Sequence, residues 1–207
     1  MVNNIGVITT WKGGSSSYAE KTPTVLAYTT NPPIWGRSAV KPRAAESGPK
    51  VRKITYFKLG LQPGFYRRCL SEGPLPFAEQ GYKDPDYPNK TAADFTTDYL
   101  KCLLKWVREE YFPSQFGPAV LRGQTISYVI TVPAIWTDPA KDLTRKAAQK
   151  AGIPEGSLQL ITEPEAAALY CASLCHRADL TPGNRFIVCD AGGGTVVYSL
   201  GLHRSHL

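Results

Sequence analysis

Residues 126–132 read ISYVITV, a run of β-branched and apolar side chains that Pro133 stops. Such a run predicts a strand buried on both faces of a sheet. A helix capped at Thr137 or Asp138 is expected next, and it ends at Gly152. A strand, a helix and two more strands are then predicted over 158–161, 164–177, 185–190 and 195–200. This alternation predicts an α/β fold with a right-handed crossover.

Upstream of that alternation the chain is rich in proline and glycine. Two short strands, over 5–10 and 24–28, are expected to form a hairpin. One long amphipathic helix is predicted over 91–112, because its apolar residues recur at helical spacing. Thr91 and Asp94 resemble a capping box at the start of this helix, and we expect Pro113 to end it.

The composition indicates a globular protein, and its cysteines indicate the type of cellular compartment. The sequence has 207 residues with 24 basic and 17 acidic side chains, which is enough to bury a core. Its five cysteines are scattered and form no CxxC pair, a pattern that favours a reducing compartment. No stretch approaches the ~18 apolar residues of a membrane span. We therefore expect a protein of the cytosol or nucleus that does not interact with membranes.

The net charge of +7 is concentrated in one region. Between Arg37 and Arg68 there are nine basic residues, and Glu46 is the acidic residue among them. Such a region attracts phosphates, including those of nucleotides and RNA. A solvated basic loop region explains the same pattern, and we favour that interpretation over nucleic-acid binding. An RNA- or phosphate-binding protein stays as an alternative function.

Two acidic residues follow predicted strands directly. Glu163 comes after Leu160, Ile161 and Thr162, and Asp190 ends the strand over 185–190. Ligands of α/β sheets collect at the carboxyl ends of strands, so these carboxylates could hold a hydrated Mg²⁺ and orient a water molecule. The alternative for Glu163 is a helix N-terminal residue that interacts with the helix dipole.

Three consecutive glycines follow Asp190. The backbone of Gly192, Gly193 and Gly194 can approach a ligand closely, and Thr195 adds a hydroxyl group. A tight hairpin turn is the alternative explanation of the glycines. The segment matches neither the P-loop pattern nor GxGxxG, so those two nucleotide-binding classes are not supported.

Three segments together resemble the nucleotide-binding domain of the seventy-kilodalton heat-shock chaperones. They are VPAIWTD at 132–138, TEPEAAAL at 162–169 and VCDAGGGTV at 188–196. They look most like the divergent branch described as actin-like ATPases. The resemblance implies an incomplete actin-like ATPase (ribonuclease H-like) lobe, with a mixed sheet and flanking helices. It also implies ATP or ADP and Mg²⁺ as ligands, and co-chaperones or unfolded proteins as partners.

The resemblance also implies a role for each candidate residue. Glu163 would help to position the attacking water and the metal, and Asp190 would bind Mg²⁺ through water. The backbone of Gly192–Gly194 and the side chain of Thr195 would contact the β- and γ-phosphates. Lys58 is the candidate for the family's catalytic lysine.

The chain departs from the family in ways that bear on activity. By resemblance, residues 1–183 are a partial first lobe, in which 30–115 form a basic insert-like subdomain, and 184–207 begin the second lobe. The family's first phosphate loop is missing, and Val197 stands where the family has an Asp. We expect ATP hydrolysis to be weak or lost in this truncated chain. The alternative is a non-catalytic remnant or regulatory interaction protein that pairs through an open sheet edge.

By resemblance, the family's first phosphate loop lies between two strands, which we also expect to be missing from this chain. In the family sheet they would lie beside the strand over 126–132, so unpaired backbone groups would remain, each costing ~1–3 kcal/mol. Several such groups rival the ~5–15 kcal/mol stability of a whole domain. We expect the isolated chain to unfold in urea with a midpoint below ~3 M, measured by circular dichroism. A cooperative transition above ~3 M would count against open edges.

Overall fold

A computed structural model of the chain describes residues 6–13, 20–40, 51–62, 77–78, 81–82, 84–117, 123–174, 183–191 and 196–202. The chain divides into two compact units. The first unit is built from Ile5–Ser127 and Thr137–Ser157, and the second unit includes Tyr128–Trp136 and Leu158–Leu207. The structure is mixed α/β, and its strands fall into small sheets. No helix in the described ranges is long and apolar enough to cross a membrane.

A three-stranded antiparallel sheet lies in the first unit. Strand β1 (Val25–Ala27) is central, and it pairs with β2 (Ile34–Trp35) on one side and β3 (Ile54–Thr55) on the other. All three residues of β1 are buried. The predicted strand over 24–28 is therefore confirmed, but the prediction that it pairs with residues 5–10 is wrong. Residues 6–10 form no strand, and the sheet is completed by segments that come after β1 along the chain.

Short elements connect the longer ones in the first unit. They are helix α1 (Arg37–Val40), a 3₁₀ helix (Phe57–Leu61), strands β4 (Phe77–Ala78) and β5 (Gly81–Tyr82), and a second 3₁₀ helix (Glu155–Ser157). Strands β4 and β5 pair antiparallel. The 3₁₀ helix over Phe57–Leu61 packs against the long helix of this unit, and Phe57 and Leu61 are each 1% exposed.

That long helix, α2 (Ala92–Trp106), carries the core of the first unit. Its capping box is confirmed: the Asp94 N–H donates to Thr91 Oγ1, and the Thr91 N–H donates to Asp94 Oδ2. The hydrogen bonds from Thr91 hold the pKa of the Asp94 carboxyl below its ordinary value. Phe95 is fully buried, and its ring lies 6.3 Å from that of Phe57.

The helix does not end at Pro113, so that prediction is wrong. It continues through a π-helical turn (Val107–Tyr111), in which the Phe112 N–H donates to the carbonyl of Val107, into α3 (Phe112–Phe116). Pro113 therefore lies inside a continuous helix, where it has no N–H to donate to a carbonyl one turn earlier, and the π-helical turn directly precedes it. Gly117 ends the helix with a φ of 75°.

Helix α4 (Asp138–Lys150) begins and ends where its sequence predicts. Thr137 is the N-cap residue, although its side chain makes no capping hydrogen bond. At the other end the Ile153 N–H donates to the carbonyl of Ala148 and the Gly152 N–H to that of Gln149, which is a Schellman motif. Gly152 has a φ of 105°, a conformation that glycine adopts without strain. Helix α4 packs against α2.

The second unit holds the other predicted strands. Strand β6 (Tyr128–Val132) pairs parallel with β7 (Leu158–Thr162), and helix α5 (Glu163–Leu174) follows β7 directly. Strands β8 (Arg185–Ala191) and β9 (Val196–Leu202) form an antiparallel hairpin. The expected burial of β6 on both faces is wrong, because Val129 is 55% exposed. Helix α5 packs against β6 and β7, while Val129 and Thr131 face solvent.

The capping box of α2 leads to a stability prediction. Replacing Thr91 with Ala removes the acceptor of the Asp94 N–H, so we expect a loss of about 1 kcal/mol in the free energy of unfolding. The matched control is Thr97→Ala on the same helix, where the hydroxyl donates to the Ala93 carbonyl and caps nothing. We expect that change to stay within about 0.5 kcal/mol. Urea titrations of both variants measure the difference, and equal losses would contradict a capping role.

Candidate functional site

Glu163 lies at a junction in which a strand passes into a helix without a loop. Strand β7 ends at Thr162, and helix α5 begins at Glu163. The Thr162 N–H donates to Glu165 Oε2 over 3.2 Å, and the Glu165 N–H donates to Thr162 Oγ1 over 3.3 Å. This reciprocal pair is a capping box with Thr162 as the N-cap residue. It fixes Glu163 as the first residue of the helix.

Glu163 lies in the first turn of helix α5. A first-turn residue lies at the positive end of the helix dipole, which stabilises negative charge. The side chain is half-buried, and Glu163 makes a polar or electrostatic interaction there. The sequence predicted a helix from residue 164 after the strand over 158–161, and the helix begins one residue earlier, at Glu163.

Asp190 lies in β8 of the same unit. Its backbone pairs with Val197 of β9, and the last pair of the hairpin joins Ala191 to Val196. The predicted strands on both sides of the glycine turn are confirmed. Gly192, Gly193, Gly194 and Thr195 themselves lie outside the described residues. Convergence of the two carboxyl groups of Glu163 and Asp190 stays a prediction.

Helix α5 connects the two strand pairs of the second unit. It contacts β7, from which it starts, and it also contacts β8 and β9. Within β8 and β9, the Phe186 ring lies over Gly201, where an added Cβ would collide with it. The hairpin therefore keeps a glycine opposite an aromatic ring, which fixes the pairing register. The helix that carries Glu163 thus rests on the strand that carries Asp190.

Lys58 belongs to the first unit. It is half-buried in the 3₁₀ helix over Phe57–Leu61 and takes part in an interaction there. Tyr56, which precedes this helix, has φ 59° and ψ 9°, a left-handed conformation that is uncommon for a residue with a bulky side chain. No sequence signal marks that strain. The role of Lys58 stays a prediction from the resemblance.

Gln62 was missed by the sequence reasoning. Its Oε1 accepts hydrogen bonds from the backbone N–H of Thr137, at 2.9 Å, and from the Thr137 hydroxyl, at 3.0 Å. The end of the segment that carries Lys58 is thereby attached to the N-cap residue of α4. The two residues are 75 positions apart, so no local pattern could have indicated the contact.

The donor set at the predicted metal site fits Mg²⁺. Among the described residues, no group of three or more His, Cys, Asp or Glu side chains is placed to hold a metal ion. Mg²⁺ does not need such a cage, since it keeps several waters and is bound by one or two carboxylates together with substrate phosphates. Two carboxylates, Glu163 and Asp190, are the ligand type and number that this cation requires.

The basic region contains an ion pair that gives part of it a structural role. Arg52 Nε lies 3.1 Å from Asp84 Oδ2 and 3.1 Å from Asp86 Oδ2. Asp84 is 4% exposed, and its other carboxylate oxygen accepts the Asp86 N–H. Arg52 therefore neutralises a buried carboxylate, whereas the adjacent Lys53 is exposed. Five more basic residues of this region lie outside the described residues: Lys41, Arg43, Lys50, Arg67 and Arg68.

The ion pair of Arg52 with Asp84 leads to a stability prediction. Replacing Arg52 with Ala leaves the buried Asp84 carboxylate without its guanidinium partner, so we expect a lower urea midpoint than that of the unchanged chain. Replacing the exposed Lys53 with Ala should leave the midpoint nearly unchanged. If both variants unfold at the midpoint of the unchanged chain, the Arg52 ion pair has no structural role.

Comparison with known proteins finds relatives of parts of this chain. A segment of 53 residues, 24% of this chain and 8% of the relative, is 57% identical to heat shock 70 kDa protein 12A from Homo sapiens. A segment of 62 residues, 28% of this chain and 9% of the relative, is 46% identical to heat shock 70 kDa protein 12B from Homo sapiens. No protein-family model matches the chain.

A longer match extends the similarity over most of the chain. A segment of 135 residues, 65% of this chain and 18% of the relative, is 31% identical to the chaperone protein HscA homolog from Pseudomonas putida. The matched segments thus span 8 to 18% of the length of these three relatives. The chain is therefore related to the heat shock protein 70 family and resembles part of its nucleotide-binding domain.

Proposed function

We propose that this chain is an ATP-binding, chaperone-type module that binds the phosphates of ATP or ADP together with Mg²⁺. The observation that carries the proposal is the β7–α5 junction, where a capping box holds Glu163 at the carboxyl end of a strand. Ligands of α/β sheets bind at such strand ends. The similarity to heat shock protein 70 relatives supports the same class of ligand.

Each candidate residue has a defined task in this proposal. Mg²⁺, when bound, would neutralise charge on the β- and γ-phosphates. Asp190 would hold the metal's water ligands, and Glu163 would orient the attacking water. The backbone N–H groups of Gly192–Gly194 and the Thr195 hydroxyl would donate to phosphate oxygens. By the resemblance, Lys58 is proposed as the family's catalytic lysine.

We propose that hydrolysis by this chain is weak or absent. Val197 pairs with Asp190 across the β8–β9 hairpin, and by resemblance it stands where the family has an Asp. Replacing a carboxylate by an isopropyl group beside the metal-binding residue removes a group that could orient water or metal. Nucleotide binding would then persist even where hydrolysis is lost, because phosphate contacts through backbone N–H groups do not depend on that side chain.

The partners proposed for the module follow from the family relation. Co-chaperones or unfolded proteins are the expected protein ligands, and the cytosol or nucleus is the proposed compartment. In the described part of the chain, the exposed Cys171 and Cys189 are free thiols. The buried Cys102 is also a free thiol, and burial raises its pKa.

Calorimetric titration of the full chain with Mg-ATP tests the proposal. We expect magnesium-dependent binding with a Kd above ~10 μM, because the phosphate contacts of one loop provide limited pre-organised affinity. Replacing Asp190 with Asn should remove the magnesium dependence. If the unchanged chain binds no nucleotide with or without magnesium, the proposed function is wrong. A Kd below ~10 μM would instead show that binding is not weakened.

A matched pair of substitutions in one helical turn tests the role of Glu163. Glu163→Gln should lower any single-turnover hydrolysis by about 10²-fold or more while it changes nucleotide binding little. Glu165→Gln keeps the oxygen that accepts the Thr162 N–H, so helix α5 and the hydrolysis rate should stay as they were. Equal rate losses in both variants would assign the effect to the helix terminus rather than to a water-orienting carboxylate.

A further inference from the structure

The backbone immediately before the 3₁₀ helix over Phe57–Leu61 is strained. Tyr56 has φ 59° and ψ 9°, and in the described ranges it is the one residue other than glycine with a positive φ. A left-handed conformation costs free energy for a residue with a Cβ, and it persists only where the surrounding structure enforces it. Tyr56 is 55% exposed, so packing of its own ring contributes little. The residues that follow therefore enforce the conformation.

The segment after Tyr56 is held in the middle by apolar packing and at its far end by hydrogen bonds. Phe57 and Leu61 are each 1% exposed, and the Phe57 ring lies 5.9 Å from that of Tyr99. At the far end the Gln62 side chain accepts two hydrogen bonds from the N-cap residue of α4. The apolar anchors belong to the core, whereas the hydrogen bonds of Gln62 can be exchanged for bonds to water.

The hydrogen bonds to Gln62 change the role of Thr137. The N–H and the hydroxyl of Thr137 both donate to Gln62 Oε1, at 2.9 and 3.0 Å. An N-cap threonine usually accepts the N–H of the third helical residue with its hydroxyl oxygen, and that residue is Ala140 in α4. Thr137 makes no such bond. The orientation of its side chain that reaches Gln62 is therefore not the orientation that caps the helix.

Contributions of similar size favour each of the two orientations. The observed orientation has two hydrogen bonds to Gln62, but Tyr56 is then strained and α4 has no side-chain cap. The other orientation exchanges these two bonds for bonds to water, adds a cap to the helix and allows Tyr56 to relax. One hydrogen bond, one helix cap and one left-handed residue contribute comparable free energies. Two favourable contributions thus oppose two others.

We propose that the segment from Tyr56 to Gln62 is a two-position element, and that the hydrogen bonds between Gln62 and Thr137 are its latch. In the latched position, which the structure shows, Tyr56 is left-handed and Thr137 donates to Gln62. In the released position Thr137 caps α4 through Ala140. Lys58 lies within the segment, so the latch determines where the lysine is held. All five residues belong to the first unit, and the inference does not depend on nucleotide binding.

Hydrogen exchange of the full chain, followed residue by residue by NMR, tests the proposal. The N–H of an N-cap residue has no partner within its helix, so exchange at Thr137 reports opening of the latch. We expect the Thr137 N–H to exchange more slowly than in an unfolded peptide, but at least about tenfold faster than the N–H of the buried Ala147 in α4. Exchange as slow as that of Ala147 would contradict a released position, and unprotected exchange would contradict the latch.

Replacing Gln62 with Ala should affect two amides in opposite directions. The Thr137 N–H loses its acceptor and should exchange about tenfold faster, whereas the Ala140 N–H should exchange more slowly, because the hydroxyl of Thr137 then caps the helix. A contact that only stabilises the fold would protect both amides, and its loss would speed both. Gln62→Glu keeps an acceptor oxygen and should preserve the protection of Thr137. A folded Gln62→Ala variant without slower exchange at Ala140 would overturn the proposal.

A substitution at the other end of the segment tests the coupling without touching the latch. Asparagine adopts the left-handed conformation more readily than tyrosine, so Tyr56→Asn should favour the latched position and slow exchange at Thr137 about threefold or more. Lys53→Asn is the control, because Lys53 is exposed and its φ is not positive. No change at Thr137 in the Tyr56 variant, or the same change in the control, would overturn the proposal. Circular dichroism reports whether each variant folds, and this pair decides even if Gln62→Ala does not.

Discussion

The hydrogen-bonded capping box between Thr162 and Glu165 is the constraint on which the candidate site depends. It converts a parallel strand into a helix within one residue, so the backbone at Glu163 has almost no freedom to relocate. A loop of even a few residues at this point would let the carboxylate move by several ångströms. Catalytic geometry tolerates little of that movement, since positioned groups lose their effect over about 1 Å.

Packing of aromatic side chains, more than sheet hydrogen bonding, stabilises the first unit. Its three-stranded sheet contains strands of only two or three residues, too few for an independent structure. Helix α2 supplies what the strands cannot: Trp106 lies within 5.9 Å, between ring centroids, of Trp11, Trp35 and Tyr111. Tyr99 contacts Trp35 and Phe57 in the same way, and burial raises its pKa to about 12. Ring packing against one helix therefore positions the 3₁₀ segment that holds Lys58.

Local signals predicted the elements well and the long-range contacts poorly. The capping box at Thr91, the Schellman end of α4 and the parallel pair of β6 with β7 were all readable, because each depends on nearby residues or on the order of elements. The hairpin expected from 5–10 and 24–28 does not form, because β1 pairs with β2 and β3, which come later in the chain. Neither residue spacing nor composition indicated the Gln62–Thr137 hydrogen bonds or the left-handed backbone conformation of Tyr56. For the candidate site, the sequence predicted that Glu163 and Asp190 follow apolar strand residues, and both do, while the distance between their carboxyl groups stays a prediction.

The π-helical turn at Val107–Tyr111 gives the long helix one residue more than an α-helical path of the same length would need. The wider π-helical winding takes up that residue. If the turn kept its five residues but wound as a regular α-helix, α3 would rotate by about 100° relative to α2, the angle that one α-helical residue contributes. The aromatic rings of Phe112 and Phe116 would then be carried to another side of the helix axis. The π-helical turn therefore determines the side of the helix on which these two rings lie.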